Sequence, residues 1–345
     1  MRILVSALEP SANLHLEPIL QELGDVEISG IFDERFAKPL YSSKEFSVMG
    51  ILDILPKIFK AREAVKELTF LAKEVDVVLL IDAPAFNIPL AKSIRNSYPD
   101  KKIIYYILPK VWAWKRKRAK VVREYCDELC SIFPFEDRFF KDVRYVGNPL
   151  LDEITVFNDG EIKNQISFLP GSRKSEIKSL MPIFREVAKK IDSKKILVVP
   201  SFFEEDDIER LYGDVGDFEI SFDMQKSISQ SDFAFICSGT ATLESTIIGT
   251  PFVLAYKAKK IDYFLARIFV KLPYVGLANI IMDFFGKEKI HKEYLQQEVS
   301  VVNLLDSYKS MNREKFMKKS IELKEILKDG SVKNMIKILK EIKCI

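Results

Sequence analysis

The residues whose types and spacing could do chemistry are concentrated in the segment DFAFICSGTATLE, residues 232–244. An apolar run ends there at Ser238, Gly239 and Thr240, and a helix-forming stretch that carries Glu244 follows. Backbone N–H groups at such a turn, with the positive end of the helix dipole, provide a binding place for a phosphate. Glu244 would lie about one helical turn further on, where a carboxylate can accept hydrogen bonds from two sugar hydroxyls. A phosphate beside a diol indicates a nucleotide; the alternative is an ordinary strand-turn-helix junction with a solvated glutamate.

A second loop, LPGSRKSEI at residues 169–177, also follows a predicted strand and leads into a helix. Gly171 allows a tight turn there, and Arg173 could clamp a diphosphate through bidentate hydrogen bonds. Taken alone, the loop slightly favours a turn with a solvated arginine; its combination with SGTATLE strengthens the interpretation as a diphosphate clamp. Asn279 is an amide inside the apolar run YVGLANIIM, so it would need hydrogen-bond partners if it is buried, and it could contact a base or a sugar.

Carboxylates follow two predicted strands in the N-terminal half. Asp82 ends the strand VDVVLLID, where a general base would be placed at the carboxyl edge of a parallel sheet. The alternative is that Asp82 caps the next helix. Glu9 and Ser11 occupy the same place after the first strand, with an ordinary turn as their alternative. The chain has only two histidines, His15 and His291, and we favour a surface or core role for them.

The elements that must position these residues alternate between short apolar strands and helix-length segments, a pattern typical of a parallel, doubly wound sheet. The pattern restarts after the polar stretch around residue 159, which predicts an α/β protein of two Rossmann-like domains facing each other across a ligand cleft. We place the domains at residues 1–155 and 156–310, and expect a helical segment at 311–345 that packs back on them or on a partner subunit. The predicted strands are 3–8, 26–32, 75–82, 102–108, 128–133, 144–147, 165–170, 195–200, 218–221, 232–238 and 251–256.

Composition excludes several classes of function. Lys and Arg outnumber Asp and Glu by only 53 to 50, so there is no overall attraction to nucleic acid. The four cysteines are too few and too irregularly spaced for a disulfide framework or a zinc site, which favours a reducing cytoplasm and predicts no metal. No stretch reaches the ~18 apolar residues of a membrane span, and the N-terminal apolar run is too short for a signal peptide.

Two segments could face a membrane surface. In residues 50–68, apolar side chains recur at helical spacing beside basic ones, as in a helix that lies in a lipid interface or, equally, in a core helix. Residues 110–123 contain seven basic residues and no acidic one, which fits an anionic membrane surface. Single-stranded nucleic acid or plain solvent are the alternatives for this segment. The candidate membrane-facing residues are Ile51, Leu52, Leu55, Ile58, Phe59, Trp112, Trp114, Arg116 and Arg118.

Taken in order, these segments resemble one family, the lipid-A-disaccharide synthases, which are inverting glycosyltransferases of the two-domain GT-B type. The combination of VWAW followed by basic residues, LPGSRKSE and SGTATLE is jointly very specific. The matching segments also include Glu9-Pro10-Ser11, Ser47-Val48-Met49-Gly50, IDAPAFN (81–87), PFE (134–136), VGNPLLDEI (146–154), Tyr256, LANII (277–281) and LQQE (295–298).

The resemblance implies transfer of 2,3-diacylglucosamine from its UDP ester to 2,3-diacylglucosamine 1-phosphate (lipid X), with release of UDP and formation of a β-1,6-linked disaccharide. It implies no metal or other cofactor, a homodimer, a Gram-negative source and peripheral association with the cytoplasmic side of the inner membrane. Within this activity, our hypothesis is that Asp82 is the base and that Glu9 is the second candidate or its orienting partner. Ser11 and Asn87 belong to the acceptor side. UDP is held by Arg173, the turn at residues 238–240, Glu244 and Asn279.

The chain departs from the family pattern at three places. The first loop resembles A-G-E-x-S-G-D, but Leu8 and Ala12 replace its glycines and Asn13 replaces its aspartate. Ala85 replaces the second acid of D-A-P-D-F-N, and two serines before VWAW are here Leu108 and Lys110. Two rivals remain: a UDP-N-acetylglucosamine 2-epimerase, which shares the architecture, and a nucleotide- or membrane-binding module without activity.

Overall fold

A computed structural model describes residues 1–47, 54–237, 239–257 and 272–343 of the 345-residue chain. The chain divides into two compact units. The first comprises Met1–Asp152 together with Leu327–Ile345, and the second comprises Glu153–Ile326. Each unit has its own parallel sheet and its own hydrophobic core.

The first unit is built on a sheet whose central strand, Val77–Ile81, is completely apolar. Its strands are β1 (Arg2–Ser6), β2 (Glu27–Phe32), β3 (Tyr41–Ser42), β4 (Val77–Ile81), β5 (Lys102–Tyr106), β6 (Glu128–Ser131) and β7 (Val143–Tyr145). Their order across the sheet is β3-β2-β1-β4-β5-β6-β7, and neighbouring strands are parallel. Every residue of β4 is buried, because helices cover both faces of a parallel sheet.

Helices connect these strands, as expected for crossovers between parallel strands. They are α1 (Pro10–Leu23), α2 (Lys44–Ser47), α3 (Ile54–Leu71), α4 (Pro84–Ser97), α5 (Arg118–Tyr125) and α6 (Pro149–Glu153), with short 3₁₀ turns at Ala72–Glu74 and Pro134–Arg138. Both α1 and α4 begin with a proline directly after a strand, a position where the missing N–H costs no hydrogen bond. The carboxyl ends of β1 and β4 therefore lead at once into helix N-termini.

The second unit repeats the same design with a smaller sheet. Its strands are β8 (Gln165–Leu169), β9 (Lys194–Val198), β10 (Glu219–Ser221), β11 (Phe233–Ile236), β12 (Phe252–Tyr256) and β13 (Lys292–Leu295). They are parallel and lie in the order β10-β9-β8-β11-β12-β13. Its helices are α7 (Lys174–Ala188), α8 (Glu205–Tyr212), α9 (Met224–Ser229), α10 (Thr240–Ile248), α11 (Leu277–Phe284), α12 (Val301–Lys309) and α13 (Arg313–Leu327), with a 3₁₀ turn at Gln296–Glu298.

The two C-terminal helices belong to different units. The helix α13 belongs to the second unit, where the Arg313 guanidinium bonds Asn158 and Asp232. The last helix, α14 (Ser331–Lys343), belongs to the first unit and packs on α1. The Ser331 hydroxyl there lies 2.9 Å from the hydroxyl of Tyr106 on β5. The chain thus returns to its first unit near Leu327.

None of the helices in the described ranges combines the length and the apolar composition that crossing a membrane would require.

Candidate active site

The predicted phosphate site lies where β11 gives way to α10. Gly239 precedes the helix with φ 147° and ψ −164°, a conformation that is essentially restricted to glycine. Its carbonyl oxygen accepts a hydrogen bond from the Thr242 hydroxyl at 2.9 Å, while Thr240 is exposed at the first helical position. The N–H groups at the start of α10 point toward this turn and can face an anion. Ser238, the remaining residue of this prediction, lies outside the described residues.

The loop after β8 lies beside this turn, because β8 and β11 are neighbours in the sheet. Gly171 adopts φ +102°, and a Cβ there would come within 2.6 Å of the Glu176 carboxylate. Arg173 is the residue that precedes α7, and its Nη1 lies 2.9 Å from Glu176 Oε1. The Arg173 side chain is 77% exposed, whereas that of Glu176 is only 7% exposed. A buried carboxylate thus tethers a guanidinium whose remaining donors are open to a ligand.

Both loops line one cavity of about 350 Å³ in the second unit. Two aromatic side chains that we did not predict also line it: Phe202 is 66% exposed and Phe222 is 54% exposed. They follow β9 and β10, at the same carboxyl edge as the other loops. Exposed aromatic rings beside a phosphate site provide a flat surface for a nucleobase. The signal in the sequence is their position just after predicted strands.

Glu244 lies on the second turn of α10, at the distance from the phosphate turn that the sequence predicted. Its side chain is mostly buried, and Oε2 lies 3.5 Å from the Gln225 amide nitrogen at the start of α9. The carboxylate is therefore held in place near the cavity wall, where Met224 is a lining residue.

Asn279 requires a correction, because it is fully buried on α11 and its amide is already satisfied. Its Nδ2 donates to the His291 carbonyl at 3.0 Å and to Glu293 Oε1 at 2.7 Å, and its Oδ1 accepts from Ile290 N at 2.8 Å and from His291 N at 3.3 Å. These bonds join α11 to β13. In this structure Asn279 is a packing residue of the second unit and is not placed to contact a base or a sugar. The ring of His291 is itself buried, as a core histidine.

In the first unit, Asp82 follows β4 in an unusual backbone conformation. Asp82 and Ala83 both have positive φ, 49° and 42°, which is strained for residues other than glycine. The strain is held by the Asp82 N–H, which donates to the Tyr106 carbonyl at 3.0 Å, and by the Tyr105 hydroxyl, which donates to the Asp82 carbonyl at 2.7 Å. Such strain is concentrated at functional sites, since the fold must maintain it.

The Asp82 carboxyl is largely desolvated, and this burial raises its pKa above the ordinary value for aspartate. The charges of Lys110 and His15 and a hydrogen bond from the Ala83 N–H oppose this rise. A carboxylate with a raised pKa at the edge of the sheet is suited to accept a proton.

Asn87 also requires a correction, because it is completely buried on the first turns of α4. Its Nδ2 donates to the Asp82 carbonyl at 2.9 Å and to the Ile81 carbonyl at 3.1 Å, and its Oδ1 accepts from the Ser6 hydroxyl at 2.6 Å. Asn87 therefore ties the ends of β1 and β4 together. It supports the backbone of Asp82 from the interior of the unit and does not face an acceptor.

The altered first loop is held by hydrogen bonds of Asn13 despite its substitutions. Asn13 donates to the carbonyls of Ala7 and Glu9, at 2.9 and 3.0 Å, and accepts from the Asp33 N–H at 2.8 Å. An amide can donate both bonds, which an aspartate could not. Glu9 and Ser11 are exposed at the start of α1. Both therefore remain accessible at the carboxyl edge of β1.

The sequence model of the lipid-A-disaccharide synthetase family matches residues 3–339 of this chain. The chain belongs to this family. A lipid-A-disaccharide synthase of Campylobacter jejuni (strain RM1221) is 50% identical over 364 aligned residues, which cover 98% of this chain and 99% of that protein. One from Helicobacter pylori (strain Shi470) is 48% identical over 348 residues, with 96% of each chain covered. The resemblance given by the motifs is thereby confirmed, and so is the prediction of a glycosyltransferase of lipid A biosynthesis.

Solved structures of low identity share the fold of this family member. MurG of Acinetobacter baumannii gives a TM-score of 0.59 at 15% identity and covers 99% of both chains. The glycotransferase of kitacinnamycin gives 0.62 at 13% identity, covering 99% of this chain and 98% of that one. A UDP-GlcNAc 2-epimerase of Neisseria meningitidis gives 0.56 at 12% identity, with both chains fully covered. The predicted α/β fold class of the GT-B type is confirmed; at these identities the likeness concerns the fold alone.

Trp112 and Trp114, both predicted to face a membrane, have opposite environments. The prediction for Trp112 is corrected. Trp112 is only 5% exposed, and its ring packs edge-on against Phe133 and Phe135. Its indole N–H donates to Glu136 Oε1 at 3.1 Å, so Trp112 is a core residue and not a membrane anchor. Trp114 is 46% exposed.

The remaining membrane-facing candidates lie partly outside the described residues. Phe59, on α3, is 66% exposed, and Arg116 is exposed while Arg118 is partly buried with its guanidinium over the Trp114 ring. Ile51 and Leu52 lie outside the described residues, as do the side chains of Leu55 and Ile58.

Where side chains are described, no group of three His, Cys, Asp or Glu residues could hold a metal ion.

Proposed function

We propose that this chain transfers 2,3-diacylglucosamine from UDP-2,3-diacylglucosamine to 2,3-diacylglucosamine 1-phosphate, with formation of a β-1,6-linked disaccharide 1-phosphate and release of UDP. The observation that carries the proposal is the cavity of the second unit, where the Gly171 loop and the Gly239 turn meet in a chain about 50% identical to lipid-A-disaccharide synthases. A glycine turn, a helix N-terminus and a tethered arginine together fit a nucleoside diphosphate.

The second unit holds the donor in this proposal. The diphosphate binds at the N-terminus of α10, and the exposed guanidinium of Arg173 compensates the negative charge that develops on the leaving UDP. The ribose hydroxyls bind Glu244, and the uracil ring packs on the aromatic wall of the cavity. We include Ser238 in the phosphate site because of the sequence pattern alone.

The first unit supplies the base and the acceptor site. Asp82 takes the proton from the 6-hydroxyl of the acceptor as that oxygen forms a bond to the anomeric carbon of the donor. The bond from the anomeric carbon to the diphosphate oxygen breaks, and its electron pair leaves with UDP. Glu9 and Ser11 are exposed at the neighbouring strand end, where Glu9 is the second candidate for the base or an orienting partner, and Ser11 a contact of the acceptor sugar.

Association with an anionic membrane surface on the cytoplasmic side, and a homodimer, complete the proposal. Both substrates carry acyl chains, so the acceptor side must be reached from a lipid surface. The exposed rings of Phe59 and Trp114, with Arg116 and Arg118 nearby in the chain, support such a surface on the first unit. Ile51, Leu52, Leu55 and Ile58 are part of the same proposed surface.

The test is to incubate the purified protein with UDP-2,3-diacylglucosamine and 2,3-diacylglucosamine 1-phosphate and to analyse the lipids by mass spectrometry. We expect a disaccharide 1-phosphate that requires both substrates. An isomerised sugar nucleotide formed without the acceptor would identify an epimerase instead. Binding of UDP without any new product would identify a nucleotide-binding module. Either result would exclude the proposed transfer.

A further inference from the structure

Lys110 follows β5 in the first unit, close to the proposed base. The strands β4 and β5 are neighbours, and the Asp82 N–H donates to the carbonyl of Tyr106, so the two strand ends are level. Lys110 lies four residues after Tyr106, and its side chain is exposed. Its carbonyl oxygen accepts hydrogen bonds from Ala113 N at 3.0 Å and Trp114 N at 3.3 Å, which close a turn.

A buried contact fixes this turn. Trp112, inside the turn, donates its indole N–H to Glu136, whose side chain lies in the core with only 1% of the residue exposed. Phe133 and Phe135 stack on each other and enclose the indole ring. The backbone at Lys110 cannot shift without breaking this buried contact, so the lysine is presented from a rigid support.

The ammonium group of Lys110 acts electrostatically on two carboxyls and, within the described residues, forms an ion pair with neither. Its positive charge opposes the burial-raised pKa of both Asp82 and Glu136, so it acts electrostatically on each of them. Across the described part of the chain, Lys110 makes no ion pair, in contrast to the Lys60, Lys163 and Lys189 side chains. An exposed and unpaired cation beside a proton-accepting carboxylate can bind an anionic group of the molecule that delivers the proton.

We propose that Lys110 is a specificity-determining residue that binds the phosphate of the acceptor sugar while Asp82 accepts the proton from its hydroxyl. The inference rests on the proposed function, in which the acceptor carries its phosphate on C1 and the reacting hydroxyl on C6. Because C1 and C5, which bears C6, both flank the ring oxygen, a cation near the base, but not bonded to it, can bind the phosphate while the hydroxyl lies at the base. The serine that the family pattern has at this position would offer a hydroxyl without a charge.

The experiment compares two acceptors with the full-length protein: 2,3-diacylglucosamine 1-phosphate and 2,3-diacylglucosamine without the phosphate. For Lys110→Met, which keeps the length of the side chain but removes the charge, KM for the phosphorylated acceptor should rise about tenfold, the low end for a charge-assisted hydrogen bond at an exposed site. KM for the phosphate-free acceptor should stay the same. Lys110→Arg should restore most of the affinity. Lys120→Met, an exposed lysine of the same basic segment, is the matched control and should behave as the unmodified protein.

An unchanged KM for the phosphorylated acceptor in Lys110→Met would overturn this role while leaving the proposed function intact. An equal rise for both acceptors would also overturn it, because it would mean a general disturbance of the loop. A failure of the unmodified protein to form any disaccharide would instead overturn the proposed function. Equal melting temperatures of the variants and the unmodified protein would show that differences in KM arise from binding and not from unfolding.

Discussion

The Arg173 guanidinium lies 2.9 Å from the carboxylate of Glu176, one turn further along the same helix start. The two partners differ in environment, since Glu176 is buried against Gly171 and Arg173 extends from the protein surface. The Arg173 N–H also approaches the second carboxylate oxygen, at 3.4 Å. Glu176 thus orients both the backbone and the side chain of the residue that we expect to hold the diphosphate. Sequence reasoning identified the arginine but not the acid that positions it.

Removal of the Arg173 side chain should weaken binding of UDP. We expect Arg173→Ala to lower the affinity by roughly ten- to a hundredfold, because a hydrogen bond to a charged group contributes about 1.5–3 kcal/mol. Glu176→Gln keeps the size of the acid but loses its charge, and it should reduce UDP affinity only a few fold. Isothermal titration calorimetry with UDP measures both.

Arg185→Ala provides a control, because Arg185 lies on the same helix but bonds the Tyr212 carbonyl. Its UDP affinity should match that of the unmodified protein. If Arg173→Ala bound UDP as tightly as this control, the arginine would have no part in the nucleotide site.

Loss of the Asp82 carboxylate should stop turnover without disturbing the nucleotide site. We expect Asp82→Asn to lower kcat by about a hundredfold or more, the usual effect of losing a general base, while calorimetry with UDP gives an unchanged affinity. Because burial raises the pKa of Asp82, the base becomes protonated at a higher pH than an ordinary aspartate. The activity of the unmodified protein should therefore fall on acidification at a pH above about 4, the ordinary range of aspartate. A variant with near-normal turnover would remove Asp82 from this role and leave Glu9 as the candidate.

The fold could be predicted from sequence because parallel strands covered on both faces are continuous apolar runs, as in β4 and β11. The strand β13 lacks such an apolar run and was therefore missed. Its residues Lys292–Leu295 lie at the edge of the sheet and are only partly buried. A polar edge strand has no period that distinguishes it from a loop. The short strand β3, also at a sheet edge, was missed as well.

Sequence reasoning could identify only those candidate site residues whose positions follow from the order of strands and loops along the chain. Asp82, Arg173 and Gly239 follow strands directly, so the topology places them at a carboxyl edge. The roles of Asn87 and Trp112 depend on partners far away in sequence, Ser6 and Glu136 respectively. The spacing along the chain does not show whether a given asparagine or tryptophan is buried or exposed. That depends on these long-range contacts.

The buried Glu136 should make the stability of the protein fall with rising pH. Burial raises the pKa of its carboxyl from 4.5 to about 8, against the opposing effect of the Trp112 hydrogen bond. Between these two pH values the unfolded chain has released the proton while the folded chain retains it, so the folded state binds more protons and loses stability as the pH rises. Glu136→Gln keeps a carbonyl oxygen for the indole but cannot ionise.

Thermal melting from pH 5 to pH 8 checks this. The melting temperature of Glu136→Gln relative to the unmodified protein should increase by at least about 2 °C between these pH values, since each kcal/mol corresponds to a few degrees in a chain of this size. Glu186→Gln is the control, because Glu186 is an exposed acid in a surface ion pair with Lys189. Parallel curves for all three proteins would mean that the Glu136 carboxyl ionises normally.

The opposite environments of Trp112 and Trp114 allow membrane binding to be separated from folding. Trp114→Ala removes an exposed ring and should lower binding to vesicles of phosphatidylethanolamine and phosphatidylglycerol several fold, with an unchanged melting temperature. Trp112→Ala removes a buried ring and should instead destabilise the fold by about 3–5 kcal/mol. Cosedimentation with the vesicles and thermal melting measure the two effects. Phe59→Ala, on the exposed surface of α3, should behave like Trp114→Ala. Unchanged vesicle binding in both exposed-ring variants would exclude this surface as the membrane contact.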